Sequence, residues 1–100
     1  MSAELDEAIF KAEEARDSAR AEAMRQGEAA ALRMIELGLD AEDTVATVTA
    51  EFPDIEALAF RVGECEWQIY ALRKLRGQSK QTIIAGIAAI RDFLSEVEPS

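Results

Sequence analysis

Two clusters of charged side chains are where this sequence could do chemistry. The first is a set of seven carboxylates, Glu36, Asp40, Glu42, Asp43, Glu51, Asp54 and Glu56, in a stretch from Met34 to Phe60 that contains no Lys or Arg. The second is Arg73, Lys74, Arg76 and Lys80, grouped around Gly77 and Ser79. Paired carboxylates can act as general acid and base, but only across a cleft that holds a substrate between them. The chain has no His, which removes the usual proton carrier and the base of a nucleophilic triad. One Cys, no His and no calcium-loop spacing among the acids argue against a metal centre. The five glycines are scattered and build no phosphate-binding loop. The sequence therefore predicts a protein with no catalytic residue, no metal and no cofactor.

What remains is recognition by charge. Glu42, Asp43, Asp54 and Glu56 fall near helix starts, where the backbone dipole favours acids, and that accounts for about half of the carboxylate cluster. The surplus would steer the protein toward a basic surface, so all seven are candidate partner-binding residues. Arg73, Lys74 and Arg76 fall at a helix end, where the dipole favours bases. With Lys80 they can pair with acids of the first helix. They can also contact a partner, or grip an anion at the helix start opened by Ser79.

The elements that position these charges are helical. Ile55, Leu58, Val62, Cys65, Ile69 and Leu72 recur at steps of three and four, as do Ile83, Ile87, Ile90, Leu94 and Val97. Gly77 can close the first of these helices in the left-handed conformation, Ser79 can cap the second, and Pro99 ends it. So short a joint makes the two helices antiparallel neighbours. Upstream, Ser2 can cap a helix of Ala, Glu and Arg that is supported by the spacings Glu7/Lys11, Glu13/Arg16, Asp17/Arg20 and Glu22/Arg25. Its inward face begins at Leu5 and Ile9, continues through Ala8, Ala12, Ala15, Ala19, Ala23, Gly27 and Ala30, and finishes at Met34, Ile35 and Leu37. Gly38 ends that helix, Leu39 supplies an apolar contact and Asp40 caps a short helix that turns Val45 and Val48 inward. Pro53 suits the first turn of the next helix. The fold class is all-α: one domain over 1–100, a small bundle of about four helices at about 3–37, 41–50, 54–76 and 80–97.

The helix from Asp54 carries a second stripe, Phe60, Gly63, Trp67 and Tyr70. Large aromatics facing a run of alanines would fill the space that small residues leave. The expectation is therefore that the first helix lies on this aromatic face and the final helix on the other. The competing reading makes the stripe a docking surface, since Trp and Tyr anchor interfaces. Cys65 falls on the aliphatic stripe and reads as a buried small hydrophobe. Gly86, with Ala85 and Ala89, reads as a close helix contact.

Twenty acids against eleven bases give a net charge of −9. The longest apolar run, Ile83 to Ile90, is too short to span a bilayer, and the start Met1-Ser2-Ala3-Glu4 lacks the basic and apolar segments of a signal peptide. A lone Cys suits a reducing compartment. These features predict a soluble cytoplasmic protein that does not bind membranes.

The order helix, Gly-turn, short helix, Phe-Pro-Asp, helix is similar to a helix-turn-helix. Leu32 to Asp40, followed by Glu42, Val45 and Ala46, is similar to the helical tail of some transposase-associated nucleases. Asp54 and Glu56 open the would-be recognition helix and repel phosphates, so direct DNA binding is not expected. In size and charge the chain resembles small acidic phage-encoded inhibitors of the anti-CRISPR and anti-restriction type. That resemblance implies a non-catalytic inhibitor, acting in the host-cell cytoplasm, that occludes a basic nucleic-acid-handling surface of a larger complex. The alternative is a structural or assembly adaptor, or a chaperone, that pairs through its helices, including as a homodimer.

Overall fold

A computed structural model describes residues 3–38 and 41–97, with the side chains of 41, 42 and 97 outside the description. Four helices make up the described chain: α1 (Ala3–Leu37), α2 (Ala41–Glu51), α3 (Asp54–Arg73) and α4 (Lys80–Val97). At a rise of about 1.5 Å per residue, α1 is about 52 Å long and α4 about 27 Å. The molecule measures 58 × 22 × 15 Å, so α1 sets its long axis. α3 runs back along α1, α4 packs beside both, and α2 packs on α1.

The turns follow from local chemistry. Gly38 is left-handed at φ 57° and its N–H bonds the Met34 carbonyl, which stops α1. Leu39 and Asp40, expected to finish this junction, lie outside the described residues, as do Ser2 and Pro99. Pro53 stands one residue ahead of α3 with helical angles, φ −68° and ψ −17°. At the other end, α3 stops at Arg73 rather than continuing to Arg76. The chain from 74 to 78 tightens into i to i−3 bonds, Leu75 N–H to Leu72 and Gln78 N–H to Leu75, before Gly77 turns at φ 84°. Ser79 then caps α4 as expected, its Oγ accepting the Thr82 N–H at 3.2 Å.

The core lies where three helices meet. Leu5, Ile9 and Ala12 from α1, Ile69 and Leu72 from α3, and Ile83 and Ile90 from α4 form one buried cluster, with Ala8, Leu75, Ile87 and Leu94 packed around it. Leu72 sits at its centre, 1% exposed. Gly86 makes the close contact expected of it: a Cβ there would fall 2.7 Å from a Leu75 methyl carbon. Ala85 and Ala89 instead face solvent.

The structure reverses one expectation about packing. The aliphatic stripe of α3, not the aromatic one, faces α1: Cys65, Ile69 and Leu72 are buried, while Phe60, Trp67 and Tyr70 are exposed at 45%, 41% and 62%. The physical reason is the number of neighbours. α2 packs on α1 and α4 on the flank shared by α1 and α3, so the second stripe meets only the edge of α4, through Phe93 against Trp67. The Ala positions of α1 approach the branched residues of α3 directly, and that contact already fills the seam. Two smaller corrections concern the far end. Ile35 and Met34 are exposed although Leu37 is half-buried, and α2 buries Thr44 and Val48 while Val45 points outward. Residues 44 and 48 centre the buried face, and Val45, about 100° around the helix from Thr44, falls outside its edge.

Ion pairs line the seam that α1 makes with α3 and with the turn that follows it. Asp6 meets Arg76 at 3.4 Å, Glu13 accepts from Arg73 Nη2 at 3.2 Å, and Arg20 bonds Glu66. Of the four local pairs suggested by spacing within α1, Glu7/Lys11 and Glu22/Arg25 form. The other two are given up: Glu13 and Arg20 pair across the seam, while Arg16 turns to Asp17.

Candidate functional site

The acid-rich stretch is spread around the end of the molecule opposite the α3–α4 turn. Glu36 closes α1, Asp43 and Glu51 lie on α2, and Asp54 and Glu56 sit in the first turn of α3. All five side chains are exposed. Asp40 lies outside the described residues, and of Glu42 only the backbone within α2 is described. Asp54 lines a shallow depression with Glu22 and Glu64, and the other carboxylates ring this end rather than converge on a cleft. Among the described residues, no group of three or more His, Cys, Asp or Glu side chains is placed to hold a metal ion.

One base reaches into this ring, and the sequence window hid it by a single residue. Arg33, just ahead of the stretch from Met34, donates Nε to Glu51 Oε2 at 2.8 Å and Nη2 to Glu51 Oε1 at 3.0 Å. Its Nη1 reaches Glu36 at 3.4 Å. The two parallel bonds to Glu51 form the fork geometry that guanidinium and carboxylate share. They hold the Glu51 carboxyl below its usual range and raise the Arg33 guanidinium above its own. Arg33 thus clamps α2 to α1 and compensates Glu51, while Glu36 makes the longer contact and its side chain is 66% exposed.

The basic quartet at the other end is largely absorbed by the fold. Arg73 and Arg76 pair with Glu13 and Asp6 of α1, as the charge pattern allowed. The Lys74 ammonium lies 4.9 Å from the centre of the Tyr70 ring, a cation–π contact. Lys80 is exposed in the first turn of α4. With Asp6 and Glu13 among them, these residues do not form an uninterrupted basic surface.

Cys65 is buried in the α1–α3 seam, and that burial pushes its thiol above the usual range, against the lowering effect of nearby Arg61. It behaves as the packing residue its stripe suggested. Glu22, on the α1 side of the same flank, is held below the usual carboxylate range by hydrogen bonds from Gln26 and Arg25.

Sequence reasoning named Phe60, Trp67 and Tyr70 but missed Phe93 of α4, whose ring centre lies 4.9 Å from that of Trp67 at 37°. The two rings join the exposed stripe of α3 to the last turns of α4, so the apolar surface crosses from one helix to another. The signal was available: Phe93 falls beside Leu94 at the edge of the α4 stripe.

No helix among the described residues is long and apolar enough to cross a membrane. Comparison with known protein families, curated proteins and solved structures found no match to this chain.

Proposed function

We propose that this is a non-catalytic binding protein whose acidic end occupies a basic surface on a larger protein or complex. The observation that supports this most is the separation of charge along a 58 Å body. Residues 18–66 hold eleven acids and four bases, and the described carboxylates of the ring point outward. Within a Debye length of about 8 Å, such a field attracts Lys and Arg surfaces and raises the association rate. Surfaces of that kind ordinarily meet nucleic-acid backbones, so the mechanism we assign is occlusion: carboxylates take the places of phosphates. This is the manner of action implied by the resemblance to phage-encoded inhibitors.

The test is capture from a bacterial lysate by the parent and by a variant carrying Glu36→Gln, Asp43→Asn and Glu56→Gln, followed by mass spectrometry. The reading expects proteins with basic surfaces on the parent and their loss from the variant. Equal capture by both, or a parent-specific set without basic surfaces, overturns it.

The exposed ridge of Phe60, Trp67 and Phe93 favours a second reading, an assembly adaptor that pairs through its helices. Light scattering on the pure protein separates the two, because an adaptor of this kind forms a stable dimer at low concentration.

A further inference from the structure

α4 ends before the groove it occupies. Along the flank shared by α1 and α3, Ile84 and Ile87 lie beside Ala8 and Lys11, and Phe93 reaches Trp67. α4 has 18 residues against 35 in α1. The third-helix position is therefore filled over one half of α1 and open over the other. In the open half, two adjoining depressions share Glu22, Leu58 and Arg61. Their floor is small and apolar, with Ala15 and Ala19 from α1 and Ala57 and Leu58 from α3, and Phe60 stands at the margin. Trp67 and Phe93 carry the exposed apolar surface from this margin to the last turns of α4.

We propose that this groove receives an amphipathic helix of a partner protein, apolar toward the floor and basic along the flanks of that apolar stripe, where it meets the groove's acids. Alanines on both walls let a helix axis approach to about 8–10 Å and leave room for Leu or Ile side chains from the newcomer. Charge selects the occupant. Glu22, Asp54 and Glu64 line the groove against Arg25 and Arg61, Arg25 is bonded to Glu22, and the chain as a whole carries a net charge of −9. A second copy of this chain would bring one surplus of acids against another, whereas a Lys- or Arg-faced helix is attracted. The inference rests on the acidic-end reading above and gives it a contact surface.

The test uses the whole protein and two synthetic peptides of about 18 residues, long enough to fill about 27 Å of groove. They share one Leu stripe and differ in carrying Lys or Glu at the positions flanking it. Binding is read from Trp67 emission and from the amide resonances of α1 and α3. The Lys-faced peptide is expected to bind, to shift residues 15–26 and 57–64, and to weaken about tenfold or more between about 0.05 M and about 0.5 M salt. Ala57→Trp, which fills the floor from an exposed position, is expected to abolish binding while leaving helicity unchanged.

The proposal is overturned if the Lys-faced peptide does not bind, if the Glu-faced peptide binds equally, or if Ala57→Trp leaves binding intact. It is also overturned by a dimer that strengthens with salt and is blocked by Ala57→Trp, since the groove then belongs to a second copy. The variant at Glu36, Asp43 and Glu56, all off the groove, separates this idea from the previous one. Peptide binding lost in that variant but kept in Ala57→Trp sinks the groove alone. Groove binding with unchanged lysate capture by the variant sinks the acidic-end reading alone.

Discussion

Leu72→Ala tests the three-helix seam most directly. Among the described residues Leu72 is the one large side chain with almost no exposure, and it belongs to a cluster drawn from α1, α3 and α4. Truncation removes three buried carbons, which at about 0.8 kcal/mol each comes to about 2.4 kcal/mol of lost transfer energy. A residual cavity adds about 24 cal/mol for every Å³ that the helices do not close, so the expected loss is about 3–4 kcal/mol. For a domain of this length that is a large share of a total of about 5–15 kcal/mol, and it should lower the melting temperature by about 12–30 °C. Urea unfolding followed by circular dichroism and by Trp67 emission gives the number, and coincident curves establish two-state behaviour. Ile35→Ala is the control: that side chain is 78% exposed, and its truncation should change stability by no more than about 0.5 kcal/mol. A Leu72→Ala loss below about 1 kcal/mol, or one no larger than that of Ile35→Ala, refutes the packing described here.

Gly27→Ala should stabilise the protein by about 0.5–1 kcal/mol, because a Cβ there meets nothing within 4 Å and the helix interior prefers Ala; an unfolding curve identical to the parent's contradicts this. Arg33→Ala should speed amide exchange in α2 by up to about fivefold, with the core of α3 unaffected, since an exposed pair contributes modestly. The pH dependence has a definite sign. The Glu51 carboxyl is depressed in the folded protein, so its contribution is present above the unfolded value and disappears as pH falls through the folded one. α2 protection should drop on the acid side of the ordinary carboxylate range in the parent and stay flat there in Glu51→Gln.

Local chemistry was legible in the sequence, and neighbour choice was not. Gly77, Ser79 and Gly38 each act within a few residues of chain, so their roles follow from residue type alone. The two stripes of α3 were equally visible, but periodicity gives faces and not what lies opposite them. Which stripe meets α1 depends on α2 packing on α1 and on α4 being too short to cover the far half, both of which are tertiary facts. Thr44 in place of Val45 is the same failure on a smaller scale: Thr also has a methyl group to bury, and a one-residue shift rotates the face. The acidic ring was found by counting, and its clamp was missed because Arg33 bonds across 18 residues of sequence.

The rungs between α1 and α3 change sign partway along. Near the α3–α4 turn, α1 offers acids at Asp6 and Glu13, and the turn and the end of α3 offer Arg76 and Arg73; farther on, α1 offers Arg20 and receives Glu66. Hung the other way up, α1 would set its acidic start against Asp54 and Glu56. Each rung contributes little energy, but together they work like the wards of a lock, admitting one orientation and turning away its inverse. Heading is thus written into the paired surfaces themselves, independently of the loops that join them.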